Sequence, residues 1–146
     1  MDQYFRALST LVETAAALDD PSALSRPILF TAHHLCEVSL KAAILSRVAA
    51  APKLHFLPEL WTAAVDAGCF AHLPPEELSW GFDFATNLGA ISGDGTPGRY
   101  VDGIVDGGTL DSQWCCLNIS AIHAAAMEFA SLCVSEVTGG QVTSQA

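Results

Sequence analysis

The chain has 146 residues, 51% of them apolar and only 15% charged, with a formal net charge of −10. That length is one domain's worth, enough for a real hydrophobic core. The acidic balance excludes non-specific binding to a nucleic-acid backbone. No basic-then-apolar leader and no uninterrupted apolar run of spanning length is present, so a soluble, cytoplasmic protein with no membrane partner is expected.

Helix one is expected over about residues 3–18, with Tyr4, Phe5, Leu8, Leu11, Val12, Ala15 and Leu18 on one face. Asp19-Asp20-Pro21-Ser22 ends it, because the residue before proline is driven out of the α region. Helix two starts near Leu24, with Ser22 or Ser25 as caps and Pro27 tolerable only in the first turn. It runs to about Ala50 and is apolar nearly all round, which predicts the central helix. Helix three spans about 58–67, with Leu60, Trp61, Ala64 and Val65 inward and Gly68 as the stop. Pro74-Pro75 launches helix four, where Leu78, Phe82, Ala85 and Leu88 form the apolar stripe.

Seven of the eleven glycines fall between Gly89 and Gly108. This predicts a loop with a small hairpin turning at Asp102-Gly103. Asn118 or Ser120 then caps a last helix with Ile122, Ala126, Phe129, Cys133 and Val137 on its face. The expected architecture is an all-α, up-and-down bundle of four to five helices over residues 1–138. Residues 139–146 read as a disordered tail.

Charge is unevenly placed. Residues 1–53 carry five basic and five acidic side chains, whereas 54–146 carry one basic residue, Arg99, against eleven acidic ones. A nucleotide or RNA contact therefore belongs to the first half or to a groove between subunits. The low charge, against about 25% in an ordinary domain, points to apolar surface covered in a homodimer. A surface rich in Ala, Ser and Thr is the alternative. The five cysteines are odd in number and set among apolar neighbours, as for reduced thiols.

The residues with chemistry to offer cluster on helix two. His33, Glu37 and Lys41 are spaced four apart and form one polar stripe, with His34 beside it. Such a stripe binds a phosphate or small ligand, or else is an i,i+4 ion pair worth about 0.2–0.5 kcal/mol. His55 follows a short loop and is expected to close onto the same face. Cys69 and His72 are the one local pair with metal-ligand spacing, without a second half, so no metal and no cofactor is expected. The Asp-Gly dipeptides read as turns rather than a calcium loop. No P-loop, Rossmann glycine pattern or serine nucleophile elbow is present.

The set Phe30, His33, Glu37, Leu40, Lys41 and Ala42, followed by His55, Leu57 and Leu60, resembles the HEPN (higher eukaryotes and prokaryotes nucleotide-binding) domain family. Glu37, Lys41 and Ala42 match its Glu-x3-Lys-Ala core, and His55-Phe56-Leu57 its His-x-Leu element. Arg99-Tyr100 before Trp114 is also similar to some members. The resemblance implies a helical bundle, often dimeric. Many members are metal-independent ribonucleases marked by an arginine followed after four to six residues by a histidine on a late helix. This chain departs there, since no arginine or lysine follows Arg99 and His123 stands alone on the final helix. The one pair at fitting spacing is Arg26 and His33, early in the fold.

Three functions remain as expectations. The first is a non-catalytic, dimeric HEPN-like module holding a nucleotide, RNA end or protein partner on His33, His34, Glu37, Lys41 and His55. The second is a ribonuclease toxin using Arg26 and His33. The third is an antitoxin-like module whose acidic half docks a basic partner.

Overall fold

The computed structural model describes residues 1–93 and 118–139. Among them are five α-helices and no strand: α1 (Asp2–Ala16), α2 (Ser25–Leu45), α3 (Leu57–Asp66), α4 (Pro75–Ser92) and α5 (Ile119–Gly139), with a 3₁₀ turn, Pro21–Leu24, before α2. The fold is an all-α bundle. The last helix takes in Gly139, the first residue of the expected tail; the hairpin around Asp102-Gly103 and residues 140–146 lie outside the described residues, as do Arg99, Trp114, Cys115 and Cys116.

Helix α2 is the axle of the bundle. It packs on every other helix, and thirteen of its residues are buried, among them Ile28, Leu29, Leu35, Leu40 and Ile44. The stretch Pro21–Leu45 is long and apolar enough to cross a bilayer by composition, yet 61% of its most apolar window is buried inside the protein. It stops at Leu45, short of the expected Ala50. The backbone tightens there into i→i+3 bonds, with Arg47 N–H donating to the Ile44 carbonyl at 2.9 Å and Ser46 N–H donating to the Ala43 carbonyl at 3.1 Å.

The entry to α2 is prepared one turn earlier than the serines suggested. The Asp20 carboxylate accepts from Ser22 N–H at 3.0 Å and caps the 3₁₀ turn, while α2 itself has no side-chain cap. Gly68 ends α3 as expected, at φ 81°. Gly68 N–H donates to the Val65 carbonyl at 2.9 Å and Cys69 N–H to the Ala64 carbonyl at 3.0 Å, which is the Schellman pairing. Asn118 caps α5 by accepting from Ala121 N–H at 3.0 Å.

An aromatic cluster fills the space between α3, α4 and α5. Trp61 stacks on Phe70 with centroids 4.7 Å apart and tilts against Phe129 at 5.2 Å. Phe70 is fully buried and holds a left-handed backbone, φ 65°, a conformation a bulky residue adopts only when packing enforces it. Three expected core positions are corrected: Val65 is 40% and Phe82 45% exposed, and Leu18, 41% exposed, lies beyond α1, which ends at Ala16 rather than at residue 18. The buried face of α4 instead runs through Gly81, Ala85 and Leu88, with Trp80 and Phe84 packed against Phe129.

Candidate functional site

The polar seam of α2 comes together around one carboxylate. Glu37 is buried, and its Oε1 accepts from Lys41 Nζ at 2.7 Å and from His55 Nδ1 at 2.9 Å. Its other oxygen lies 3.7 Å from His34 Nδ1. His34 is positioned by Tyr4 of α1, whose hydroxyl is 3.0 Å from Nε2, and by Phe30, which stacks on the imidazole. Three elements thus converge: α1 through Tyr4, α2 through His34, Glu37 and Lys41, and the segment before α3 through His55. The i,i+4 spacing puts Glu37 beside Lys41, and the return of the chain brings in His55.

Burial pushes the Glu37 carboxyl up. The hydrogen bonds from Lys41 and His55, with the charge of both, outweigh it and leave the group below its ordinary value. Glu37 is therefore an anchored anion. Its partners reach solvent: the Lys41 side chain is 23% and that of His55 64% exposed. Lys41 keeps N–H donors beyond the one given to Glu37, and His55 leaves its second ring nitrogen, Nε2, unused by the carboxylate.

His33 takes a different place from the one the four-residue spacing suggested. It is 1% exposed, with Nε2 donating to the His55 carbonyl at 3.1 Å and Nδ1 2.6 Å from the Ser92 hydroxyl. It ties the start of α3 and the end of α4 to the axle. Helix geometry sets Arg26 two turns from it, about 10 Å along the axis. His123 bridges α5 to α1 through Ser9, at 3.1 Å.

A second ionic cluster went unread in the sequence. Glu136 on α5 is 2% exposed and accepts from Arg47 at 2.6 Å. His72 Nδ1 lies 3.1 Å from its other oxygen, Oε1, off the line of a hydrogen bond, so that atom has no hydrogen-bond partner among the described residues. Glu136 raises the Arg47 guanidinium's affinity for its proton by hydrogen bond and by charge. Burial pushes up the thiols of Cys36, Cys69 and Cys133, which stay protonated and unreactive. The signal was present in the sequence: Glu136 continues the buried row Phe129–Cys133 at helical spacing. Among the described residues no three His, Cys, Asp or Glu side chains are grouped to hold a metal ion.

No protein-family model, curated protein or solved structure matches the chain. The arrangement of side chains is therefore what any functional reading rests on.

Proposed function

We propose that the chain is a non-catalytic, HEPN-like binding module, dimeric in solution, that holds the phosphate of a nucleotide or of an RNA end at the Glu37 cluster. The observation that carries this is the pairing of Lys41 and His55 on one oxygen of Glu37. The carboxylate holds a compact cation and an imidazole side by side, with the spare N–H donors of Lys41 at the surface before any ligand arrives. His34 and the Tyr4 hydroxyl bond each other and leave one further donor between them. A phosphate needs several converging N–H and O–H groups, and these come from three separate elements. A catalytic role for Arg26 and His33 is disfavoured because His33 is sealed in the core with both ring nitrogens engaged.

The test is calorimetry and thermal denaturation with AMP, ATP, inorganic phosphate and a short RNA with and without a 5′-phosphate. Saturating ligand stabilises the fold, by about 2.7 kcal/mol at a hundredfold excess over Kd. Lys41→Met and His55→Asn each abolish the effect while far-UV circular dichroism is unchanged. No stabilisation at millimolar concentrations, or stabilisation that survives both substitutions, overturns the proposal.

A further inference from the structure

Helix α4 carries a second feature with no part in the Glu37 cluster. Glu76, Ser79, Trp80, Asp83, Phe84 and Asn87 line an open groove of about 700 Å³. Trp80 and Phe84 lie parallel, 5.7 Å between centroids and 5° between planes, and both brace against the buried Phe129. Glu76 and Asp83 are exposed, and neither has an ion-pair or hydrogen-bond partner among the described residues. No basic residue occurs on α4. The groove runs along one face of α4 as an aromatic floor, with Glu76 before Trp80 and Asp83 between Trp80 and Phe84, in the half of the chain that carries ten of its net negative charges.

We propose that this groove binds a basic peptide segment in a polyproline-II conformation, with one arginine or lysine at each carboxylate and the peptide lying across Trp80 and Phe84. The charge complementarity is direct, and aromatic faces beside carboxylates suit guanidinium groups, which stack and pair at once. Spacing supplies the second argument. Seven residues separate Glu76 from Asp83, a rise of about 10.5 Å along the helix. A polyproline-II segment returns to the same face every three residues, about 9.3 Å on. A β-strand returns after two or four residues, about 7 or 13 Å, and fits less well. The matching peptide has cations at i and i+3. A nucleic acid or an anionic lipid surface is repelled by the same carboxylates.

The experiment is fluorescence anisotropy of the full chain with a labelled peptide bearing Arg-Pro-Pro-Arg, at low and physiological salt. The control is a peptide of equal charge with its two arginines adjacent. The expected results are at least fivefold preference for the spaced peptide and at least tenfold weakening in the Glu76→Gln/Asp83→Asn variant. Glu13→Gln/Asp19→Asn removes the same two charges elsewhere and changes affinity by less than twofold. Trp80→Leu weakens the spaced peptide with no change in net charge. Equal weakening by both charge variants shows long-range attraction alone and overturns the proposal, as does indifference to arginine spacing or to Trp80→Leu. Absence of binding at low salt also overturns it. Because Lys41→Met leaves the groove intact, this result is independent of the phosphate experiment.

Discussion

Gly81 lies within α4 against the ring of Trp61, and replacing it with alanine sets two effects of opposite sign against each other. In a helix interior alanine is favoured over glycine by about 1 kcal/mol. Here an added Cβ would stand 2.8 Å from Trp61 Cζ3, with two other carbons of the ring closer still. Carbon atoms rest about 3.5–4.0 Å apart, so the indole must retreat by roughly 1 Å. It has little room. Trp61 is 3% exposed, stacked on Phe70 and wedged by Phe129, and Phe70 is itself fully buried. Overpacking of this kind costs about 1–3 kcal/mol, at times more, so the clash outweighs the propensity gain. Gly81→Ala is expected to lose up to about 2 kcal/mol net, or up to about 6 °C in Tm for a chain of this size. Gly89 is the internal comparison. A Cβ there meets Phe56 and Pro58 at 3.2 Å, and Phe56 is 38% exposed and able to swing outward. Phe56 can yield but the Pro58 ring cannot, so Gly89→Ala is expected to stay within about 0.5 kcal/mol of the wild type. Urea unfolding read by near-UV circular dichroism measures both. If Gly81→Ala matches or exceeds the wild-type midpoint, the close approach of α3 and α4 described above is wrong.

The depressed Glu37 carboxyl sets a pH dependence. A group whose folded value lies below its unfolded value, about 4.3 for glutamate, stabilises the fold fully above that value. The contribution is lost as pH falls through it toward the lower folded value. Between pH 6 and 3 the wild type should therefore lose stability more steeply than Glu37→Gln, and parallel curves in acid denaturation would refute the coupling. Ser92→Ala strands a nitrogen of the buried His33 and should cost about 1–3 kcal/mol, measured by urea titration; a change within error would mean that the imidazole finds another partner. Arg47→Met leaves the buried Glu136 without its cation, whereas Arg47→Met with Glu136→Leu removes both charges. The single variant should have the lower Tm, and the reverse order would show that Glu136 is not held by Arg47.

How much of this was readable from residues alone depends on what set each position. The number, order and type of the described helices followed from apolar periodicity, proline breaks and Gly68, because those signals act locally. The buried face of α4 was misread at Phe82 for a reason periodicity does not register. Gly81 presents no side chain, so it looks like a gap in the stripe, yet that gap lets α3 approach and turns the helix about its axis. Val65 was assigned inward from its spacing after Trp61 but falls on the exposed side of the last turn of α3. In the seam, spacing of four correctly joined Glu37 to Lys41. It could not say that His33 would be drawn to Ser92, fifty-nine residues on, while its neighbour His34 turned toward Tyr4. The Arg47–Glu136 pair spans eighty-nine residues, and only the packing of α5 on the end of α2 creates it.

The Glu37 cluster also poses a question of design that a stability measurement can answer. A carboxylate with little solvent access is desolvated at a cost of several kcal/mol, which its partners only offset when geometry is good. Replacing a buried ion pair with apolar side chains of similar volume is often neutral or stabilising by about 1–4 kcal/mol. Lys41 is 23% exposed, so the lower end of that range applies here. If the cluster serves only the fold, it is a poor choice for the helix with the most buried residues. If it serves a ligand, stability has been given up for donors placed in advance. Glu37→Met combined with Lys41→Met distinguishes these cases. The double variant is expected to unfold at the wild-type urea concentration or slightly above it, and to lose stabilisation by nucleotide or phosphate. Glu37→Met alone, which leaves Lys41 and His55 without their acceptor, should be the less stable of the two. A double variant that is markedly destabilised would mean that the seam is structural glue, and the case for a ligand at Glu37 would fall with it.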